Sequence, residues 1–471
     1  MILVSNSFDI AILGGGPGGY VAAIKAAALG LKVALIESQA VGGTCLHVGC
    51  IPTKTLLASA SILRSAQRAD LFGITVEKIS WDYKKIYERK NSVVTKIHES
   101  LKGLLNTYSN ITTIHGFGSF LSPREIKIKK NQGAGEIIFA KSTIIATGSS
   151  PIDLPFAPCD HKRIFNSTSI LGISKLPKSM IIIGGGYIGC EFATLFTLLG
   201  VKITLVEAMD SIISQQGKML SRELTDAMKK HGTKILTNAV VQSIDYHGKQ
   251  LVTTLNSGEK ITTDIALVAV GRSVNTHNLG LQSIALSVNS RGYIDTNDRM
   301  ETNVANIFAI GDVTGKAMLA HVASHQGIIA AINISGGEAR MHYNAIPSII
   351  FTHPEIAMVG LTEEQAIKEG YSVVTGKFPF VALGKSQAIS ETAGFSFIVA
   401  DAKTRQVLGA QIIGAQASSL IAEMTVAIAN ELTLECIADT IHAHPTLPEA
   451  IFESSLVALG TPLHLPQKKQ V

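Results

Sequence analysis

The 471-residue sequence predicts an α/β protein with two doubly wound, Rossmann-like domains followed by an α+β domain. Three observations predict this fold. A pattern of strand, glycine turn, helix and strand begins at residue 8, and the same pattern returns at residue 179. From about residue 343, short strand-like and helical runs alternate without a glycine fingerprint. The chain is too long for one hydrophobic core, and its length suggests about three domains.

The first pattern is FDIAILGGGPGGYVAAIKAAALGLKVALIE, residues 8–37, in which Gly14, Gly16 and Gly19 fill G-x-G-x-x-G. The first glycine allows a tight turn, the second lets a pyrophosphate approach the backbone, and the third lets helix and strand pack closely. The helix that follows offers free N–H groups to a phosphate. Glu37 closes the second strand, where an acid can bind the hydroxyls of a ribose. The stretch therefore predicts a nucleotide-binding domain.

The second pattern is SMIIIGGGYIGCEFATLFTLLGVKITLVE, residues 179–207, with Gly184, Gly186 and Gly189 at the same spacing. Glu207 stands as far after its last glycine as the acid of the first copy does. Alanine and methionine follow Glu207, so no arginine is at hand for a 2′-phosphate, and the acid would repel one. The second site is therefore predicted to bind NAD rather than NADP.

The remaining runs indicate domain boundaries and a third domain. KSTIIATGSSP (141–151) and DIALVAVGRSVNT (264–276) are β runs that end in glycine breaks. TNVANIFAIGDVTG (302–315) delivers Asp312 at the end of a buried strand, where ligands bind in doubly wound sheets; the alternative is that Asp312 caps the next helix. The predicted strands and helices of the third domain are PSIIFT, FSFIVAD, QVLGAQIIG, EEQAIKEG and LIAEMTVAIAN.

Charge and hydropathy argue against two classes of partner. The net charge is +5, and its densest clusters, KKIYERK (84–90) and KIKK (127–130), are interpreted as solvated faces rather than a nucleic-acid surface. Glycines or charges interrupt each apolar run before the roughly 20 residues of a membrane span. Only seven residues precede Phe8, without the charged region of a signal peptide. The sequence therefore predicts a cytoplasmic protein with reduced thiols and no membrane or nucleic-acid partner.

Two of the five cysteines, Cys45 and Cys50, lie in the short stretch GGTCLHVGCIPTK. In a reducing compartment such a pair is catalytic or metal-binding rather than a structural disulfide. A metal site is not expected, because no second cysteine motif is near and His47 is a poor geometric partner. On an ideal helix the two residues would be about 7.5 Å apart along the axis, beyond the roughly 4.4–6.8 Å of a disulfide. A bridge therefore needs irregular backbone, which Gly49 and Pro52 can provide.

A base for thiol chemistry is suggested by HAHPTLPEA, residues 442–450. Glu449 follows His444 by five residues, and a carboxylate bonded to one ring nitrogen fixes the tautomer and raises the basicity of the other nitrogen. His442 in the same stretch is interpreted as structural.

Together these motifs resemble the class I pyridine nucleotide-disulfide oxidoreductases over essentially the whole chain. Five further stretches contribute to the resemblance: ATG (146–148), GRSVNT (271–276), AIGDV (309–313), LAH (319–321) and THPEIAMVG (352–360). The resemblance implies a homodimer with one FAD per subunit. It also implies an FAD-binding domain over 1–148, an NAD-binding domain over 149–271, a central segment over 272–342 that returns to the FAD domain, and a dimerisation domain over 343–471.

The resemblance assigns catalytic roles. Cys45 would exchange with the substrate and Cys50 would face the flavin, the two forming a redox-active disulfide. His444 of the partner subunit would take a proton from the substrate thiol, with Glu449 orienting it.

The resemblance also assigns cofactor contacts. Lys54 and Glu191 would form an ion pair beside the flavin, and Asp312 would hold its ribityl chain. The other cofactor-binding residues it implies are Gly14, Gly16, Gly19, Glu37, Thr44, Gly116, Thr147 and Gly148 for FAD, and Gly184, Gly186, Gly189, Glu207 and Gly271 for NAD.

Within the family, the sequence is most similar to the branch that oxidises dihydrolipoamide and reduces NAD⁺. The implied partner is the lipoyl-bearing acyltransferase of a 2-oxoacid dehydrogenase complex, or the carrier protein of glycine cleavage. Three alternatives stand beside this branch. The first is an NADPH-dependent reductase of the glutathione reductase type, which Tyr187 favours and Glu207 opposes. The others are a mercuric reductase, which a C-terminus without a cysteine pair opposes, and a non-catalytic flavoprotein subunit.

Four positions depart from the commonest pattern of the family without removing a reacting atom. We expect them to affect rate or redox poise more than reaction class. They are His47, Thr53, Val274 and Pro448.

Overall fold

The first sheet is built around β1 (Val4–Leu13) in the computed structural model, which describes residues 4–130 and 134–466. β1 pairs in parallel with one strand on each side. Ile10, Ile12 and Leu13 are buried, as expected of a strand covered on both faces. The other helices and strands of this part of the chain are α1 (Pro17–Ala28), β2 (Val33–Glu37), α2 (Gly43–Val48), α3 (Cys50–Gln67), α4 (Tyr83–Asn106), β3 (Ile111–Ser122), β4 (Glu125–Lys130) and β5 (Glu136–Ile145).

The first glycine pattern forms β1, α1 and β2 as predicted, but the strand begins earlier than predicted. It starts at Val4 rather than Phe8, because Val4 pairs with Ile137 of β5. That partner is distant along the chain, so the local pattern could not show it. The prediction about a signal peptide rests partly on residues 1–3, which lie outside the described residues.

The second glycine pattern also forms a strand, a helix and a strand. The elements of this part are β6 (Ser149–Pro151), β7 (Ile164–Asn166), β8 (Ser179–Ile183), α5 (Tyr187–Leu198), β9 (Lys202–Val206), α6 (Lys218–Lys230), β10 (Lys234–Leu236), β11 (Val241–His247), β12 (Gln250–Leu255), β13 (Lys260–Thr263), β14 (Ile265–Val268) and β15 (Arg272–Val274). The pattern lies in a five-stranded parallel sheet in the order β10-β9-β8-β14-β7. A three-stranded antiparallel sheet, β11-β12-β13, follows β10 along the chain.

The two segments that were predicted to end in domain boundaries, 141–151 and 264–276, pair with each other. β6 and β15 form an antiparallel ribbon in which Ser149 is opposite Val274. The GSSP segment, predicted as a break, therefore contains a short strand. The domain boundaries at 148, 271 and 342 stay predictions.

The chain then returns to the first sheet. β16 (Ile307–Ala309) pairs in parallel with β5, and α7 (Ala320–Ile334) packs on α1. The two helices approach closely, since a Cβ on Gly327 would lie 2.5 Å from the carbonyl oxygen of Gly18.

The C-terminal part contains β17 (Ser348–Ile350), β18 (Glu355–Gly360), α8 (Glu363–Lys368), β19 (Val373–Pro379), α9 (Gly384–Ala388), β20 (Phe395–Asp401), β21 (Val407–Gly414), α10 (Ala417–Ala429), α11 (Leu434–Ala438) and α12 (Glu449–Ala458). Its strands form an antiparallel sheet in the order β17-β18-β21-β20-β19. β20 and β21 are buried along their whole length. The predicted strands and helices are all present, whereas β18, β19, α9, α11 and α12 were not predicted.

One basic side chain contradicts the prediction of a solvated cluster over 84–90. Lys90 is only 6% exposed, and its Nζ donates a hydrogen bond to the carbonyl oxygen of Leu171 at 2.8 Å. Burial lowers the pKa of Lys90 to about 8. The other two lysines of the cluster, Lys84 and Lys85, are exposed as predicted.

One apolar helical stretch is longer than predicted, since no apolar run was expected to reach the length of a membrane span. Within the described residues, the helical stretch Gly43–Gln67 is long and apolar enough to cross a membrane by length and composition alone, although 44% of its most apolar window is buried inside the protein. Leu56, Leu57 and Ala60 on this stretch belong to a hydrophobic core. We therefore interpret it as a core helix.

Candidate active site

The cysteine pair lies where the helical stretch is interrupted. α2 ends at Val48, Gly49 has φ −147° and ψ −111°, and Cys50 begins α3. A Cβ on Gly49 would lie 2.9 Å from the carbonyl oxygen of Thr44, so the break is shaped for glycine. The predicted irregular backbone at Gly49 is confirmed. Cys45 and Cys50 are free thiols whose side chains are in hydrogen-bonding contact.

The two thiols differ in acidity. The hydrogen bond from Cys45 lowers the pKa of Cys50 to about 7; burial opposes this shift and the positive charge of Lys54 adds to it. The same hydrogen bond and burial raise the pKa of Cys45 far above its usual range. Cys50 is therefore the thiol that ionises first, and Cys45 keeps its proton.

Lys54 is positioned by an acid from the second nucleotide fold. Its Nζ lies 2.7 Å from Glu191 Oε2 and 4.4 Å from the centre of the Phe351 ring. The Phe351 backbone N–H donates to Glu191 Oε1 at 3.0 Å. The predicted ion pair is present, and it joins α3, α5 and the segment after β17. Phe351 was not predicted as a site residue, because every residue type except proline has the same backbone N–H.

The first glycine turn leaves open space for a phosphate. A Cβ on Gly14 would lie 2.3 Å from the carbonyl oxygen of Ala146, and a Cβ on Gly19 would lie 1.8 Å from that of Gly14. A Cβ on Gly16, at the start of α1, would meet nothing within 4 Å. The turn therefore packs against its own sheet and stays open at the helix N-terminus, which fits the pyrophosphate of FAD.

The second turn repeats this arrangement. A Cβ on Gly184 would lie 2.4 Å from the carbonyl oxygen of Ala269, and a Cβ on Gly189 would lie 1.9 Å from that of Gly184. A Cβ on Gly186, like one on Gly16, would meet nothing within 4 Å. This turn fits the pyrophosphate of NAD.

The two predicted ribose-binding acids are held by backbone N–H groups. Glu37 accepts from Gly15 at 2.7 Å and from Gln39 at 2.8 Å, and Glu207 accepts from Gly185 at 2.6 Å. A Cβ on Gly15 would lie 3.3 Å from the Glu37 carboxylate, and one on Gly185 would lie 3.1 Å from that of Glu207. These two glycines were not predicted as site residues; the signal was the middle glycine of each GGG run.

Asp312 lies in a short helical turn, Gly311–Thr314, well before α7, so it does not cap that helix. Its carboxylate accepts a hydrogen bond from the Ser149 hydroxyl. Arg272 in turn donates to the hydroxyl and to the carbonyl oxygen of Ser149, at 2.7 and 2.6 Å. Asp312 is thereby fixed by the β6–β15 ribbon, a contact that the sequence reading missed.

Of the other predicted cofactor residues, Thr147, Gly148 and Gly271 directly adjoin this ribbon. Thr147 donates to the Asn275 carbonyl oxygen at 2.7 Å, and Gly148 and Gly271 have positive φ values of 70° and 129°. Thr44 is exposed at the start of α2. Gly116 has a packing reason of its own, since a Cβ there would lie 2.8 Å from the carbonyl oxygen of Lys129.

The candidate base lies on an exposed loop. His444 Nδ1 is 2.8 Å from Glu449 Oε1, and Glu449 Oε2 accepts from the Thr446 N–H at 2.8 Å. The His444 side chain is 77% exposed and, among the described residues of one chain, has no hydrogen bond to either cysteine. His442 is paired with Glu423 at 2.8 Å and nearly buried, in agreement with a structural role.

No group of three His, Cys, Asp or Glu side chains forms a metal site within residues 4–130 and 134–466. The site is thus built from two glycine turns, a thiol pair, an ion pair and an exposed histidine–carboxylate pair. This arrangement can pass electrons between thiols and two bound nucleotide cofactors.

Comparisons with known proteins agree with this description. The family model described as pyridine nucleotide-disulphide oxidoreductase matches residues 8–327, and the model for the dimerisation domain of the same family matches residues 346–455. Fold and site define a flavin-dependent redox enzyme with a thiol pair. The chain belongs to the pyridine nucleotide-disulphide oxidoreductase family and uses FAD and NAD(H). The dimerisation-domain match supports a homodimer.

Several relatives are similar over their full length. Dihydrolipoyl dehydrogenase of Chlamydia muridarum is 47% identical, with 99% of this chain and 100% of the relative covered. Its counterpart in Bacillus subtilis is 41% identical, with 97% of each covered. Among solved structures, LpdA from Mycobacterium tuberculosis matches with a TM-score of 0.90 at 27% identity, covering 96% of this chain and 99% of that one.

Proposed function

We propose that the chain oxidises protein-bound dihydrolipoamide to lipoamide and reduces NAD⁺, as a component of 2-oxoacid dehydrogenase complexes. The observation that carries the proposal is the Cys45–Cys50 thiol pair at the Gly49 break, followed on α3 by Lys54, whose Nζ lies 2.7 Å from Glu191. The hydrogen bond from Cys45 and the charge of Lys54 lower the pKa of Cys50. The names of relatives 40–48% identical over nearly the full chain support the substrate.

The first step is thiol–disulfide exchange at Cys45. His444 of the partner subunit takes a proton from one substrate thiol, and the resulting thiolate attacks Cys45 Sγ. The Cys45–Cys50 bond breaks and Cys50 leaves as a thiolate, for which its low pKa is suited. The second substrate thiol then displaces Cys45, so that lipoamide leaves and both cysteines are reduced.

The two electrons then leave the cysteine pair. The first glycine turn, with Asp312 and Lys54, would hold FAD, which would supply the two-electron chemistry that links the thiols to NAD⁺. Overall, dihydrolipoamide and NAD⁺ give lipoamide, NADH and one proton. Lys54 stabilises the Cys50 thiolate, and Glu191 holds Lys54 in place.

The proposed cofactor preference follows from Glu207. Its carboxylate is fixed beside the second glycine turn by the Gly185 N–H, at 2.6 Å. A 2′-phosphate would meet this negative charge, which argues against an NADPH-dependent reductase. Cytoplasmic residence and the particular lipoyl-bearing partner stay predictions from the sequence.

The test is an anaerobic titration of the FAD-loaded protein with dihydrolipoamide, then with NAD⁺, while the visible spectrum is recorded. We expect a long-wavelength absorption band between the Cys50 thiolate and the flavin to appear with the dithiol and to disappear with NAD⁺. The Cys45→Ser variant is the control, which should keep FAD and fail to react with the dithiol. A spectrum unchanged by the dithiol but bleached by NADPH would instead indicate a reductase of the glutathione reductase type.

A second comparison tests the partner. A lipoylated acyltransferase domain, after reduction, should be oxidised with a lower KM than free dihydrolipoamide. Equal KM values would argue against a protein-bound substrate.

A further inference from the structure

His47 lies between the two cysteines in the sequence, at a position where the chain departs from the commonest pattern of its family. It belongs to α2, as Cys45 does, whereas Cys50 begins α3. The His47 Nε2 is 3.0 Å from the carbonyl oxygen of Val41, which precedes α2. A carbonyl oxygen only accepts hydrogen bonds, so Nε2 carries the hydrogen. The side chain therefore ties α2 to the turn that leads into it.

A second histidine, from another helix, binds the same oxygen. His98 of α4 donates from Nδ1 to the Val41 carbonyl oxygen at 3.1 Å. Its ring lies edge-on to the ring of His47, with the two ring centres 4.9 Å apart, and both side chains are half-buried. Through this carbonyl and the ring contact, α2 is joined to α4.

α2 depends on such support. It has six residues, far fewer than the about 12–15 that an isolated helix needs to be marginally stable. Its N-cap residue, Gly42, makes no side-chain capping bond. Among the described residues, His47 is the only side chain of α2, besides the Cys45 thiol, that makes a hydrogen bond. α3 has its own anchor in the ion pair of Lys54. The position of Cys45 relative to Cys50 is therefore set largely by how α2 is held.

This position matters more for the disulfide than for the dithiol. A disulfide fixes the two sulfur atoms at bonding distance and in a defined orientation, whereas two thiols in hydrogen-bonding contact tolerate a longer and looser separation. An interaction that restricts α2 raises the effective concentration of one thiol for the other. It therefore favours the disulfide over the dithiol.

We propose that His47, supported by His98, is a positioning residue that holds Cys45 at bridging distance from Cys50 and so keeps the reduction potential of the pair low. Neither histidine reacts with the substrate, since both act through the Val41 carbonyl. The proposal rests on the proposed function in one respect, that the pair cycles between disulfide and dithiol.

The experiment measures the thiol–disulfide equilibrium of the FAD-loaded dimer in buffers of reduced and oxidised dithiothreitol. The two thiols of dithiothreitol lose two electrons and two protons as its ring disulfide forms, and Cys45 and Cys50 gain them. The visible spectrum selects the ratios at which the flavin stays oxidised. Free thiols are then alkylated in denaturant and counted by mass. Three further cysteines give the same background in every variant: Cys159, Cys190 and Cys436.

His47→Leu removes the donor from α2. We expect its disulfide to be about fivefold less favoured than that of the wild type, as for the loss of one hydrogen bond, which corresponds to a reduction potential about 20 mV less negative. His98→Leu should shift the equilibrium in the same direction but by less, because His47 keeps its own bond. His47→Gln is the matched control. Its amide N–H can reach the same oxygen and should restore the wild-type value.

The proposal is overturned if His47→Leu has the equilibrium of the wild type. It is also overturned if His47→Gln shifts the equilibrium as far as His47→Leu does, because packing and not the hydrogen bond would then be responsible. If His47→Leu does not fold, His98→Leu decides, and a wild-type equilibrium in that variant overturns the proposal. A wild-type pair that stays reduced at every ratio would instead overturn the proposed function, since no disulfide would form.

Discussion

His444 Nδ1 lies 2.8 Å from Glu449 Oε1, and this distance determines which ring nitrogen can act as a base. A carboxylate only accepts hydrogen bonds, so Nδ1 must carry a proton and Nε2 keeps its lone pair. Glu449 stays ionised near neutral pH because the Thr446 N–H and His444 outweigh the effect of burial and lower its pKa.

We expect His444→Gln to slow dihydrolipoamide oxidation by about 10²–10⁴-fold, the usual contribution of a general base. Glu449→Gln should lose less, about tenfold, because the amide can accept the same hydrogen bond without its charge. The measurement is kcat/KM for dihydrolipoamide. Oxidation of NADH by ferricyanide, which bypasses the thiols, is the control and should be unaffected. Near-normal turnover of the His444→Gln variant would show that His444 is not the base.

The acidity of Cys50 gives a pH prediction. Its pKa is lowered to about 7, mainly by the hydrogen bond from Cys45, so Cys50 is a thiolate above this pH and a thiol below it. In the Cys45→Ser variant, which cannot form the disulfide, the long-wavelength band of the FAD-loaded protein should fade as the pH falls through about 7. The serine hydroxyl replaces the thiol as donor.

Cys45→Ala is the matched comparison, because alanine has no donor. Its midpoint should lie about one unit higher than that of Cys45→Ser. Equal midpoints in the two variants would show that the hydrogen bond does not control the acidity of Cys50.

Coenzyme choice should depend on the charge of Glu207. Glu207→Gln keeps the size of the side chain but removes the charge that repels a 2′-phosphate. We expect NAD⁺ to bind about tenfold more weakly, as for the loss of a charge-assisted hydrogen bond, and NADP⁺ to bind no worse than in the wild type. The measurement is the dissociation constant of each coenzyme.

The control is Glu37→Gln at the other glycine turn, which should leave the dissociation constants of NAD⁺ and NADP⁺ unchanged. If Glu207→Gln weakens the binding of both coenzymes equally, the Glu207 carboxylate only supports the turn.

A half-buried histidine, His353, should make stability depend on pH. Burial, with Arg64 next in importance, lowers the pKa of His353 to about 4; Glu391 opposes the shift, while His231 and Arg68 add to it. The folded state therefore binds fewer protons than the unfolded state, whose histidine pKa is about 6.5. The contribution of neutral His353 to the free energy of unfolding is fully present above about pH 6.5 and is lost as the pH falls towards about 4.

The melting temperature of the wild type should accordingly decrease over this range, and that of His353→Asn should decrease less. Parallel curves for the two proteins would exclude His353 as the source. The pairs of Glu391 with Arg64 and Arg68, at 2.7 and 2.9 Å, are retained in the variant.

Local features of the chain were predictable because their geometry is set within a few residues. The two glycine turns, their strands and helices, and the break at Gly49 follow from residue size and backbone freedom, and the structure has them where the sequence indicates. The strand start at Val4 and the burial of Lys90 were predicted wrongly, since both depend on partners about 80 or more residues away.

The sequence by itself thus determined the fold class and the residue types of the chemistry: the thiol pair, the two acids and the histidine with its carboxylate. Only the tertiary structure decided how they are held. Glu191 accepts from the Phe351 N–H, and Arg272 donates to the carbonyl oxygen of Ser149, whose hydroxyl donates to Asp312. The physical reason is that backbone N–H and C=O groups are the same in every residue, so their choice of partner is set by packing and not by residue type.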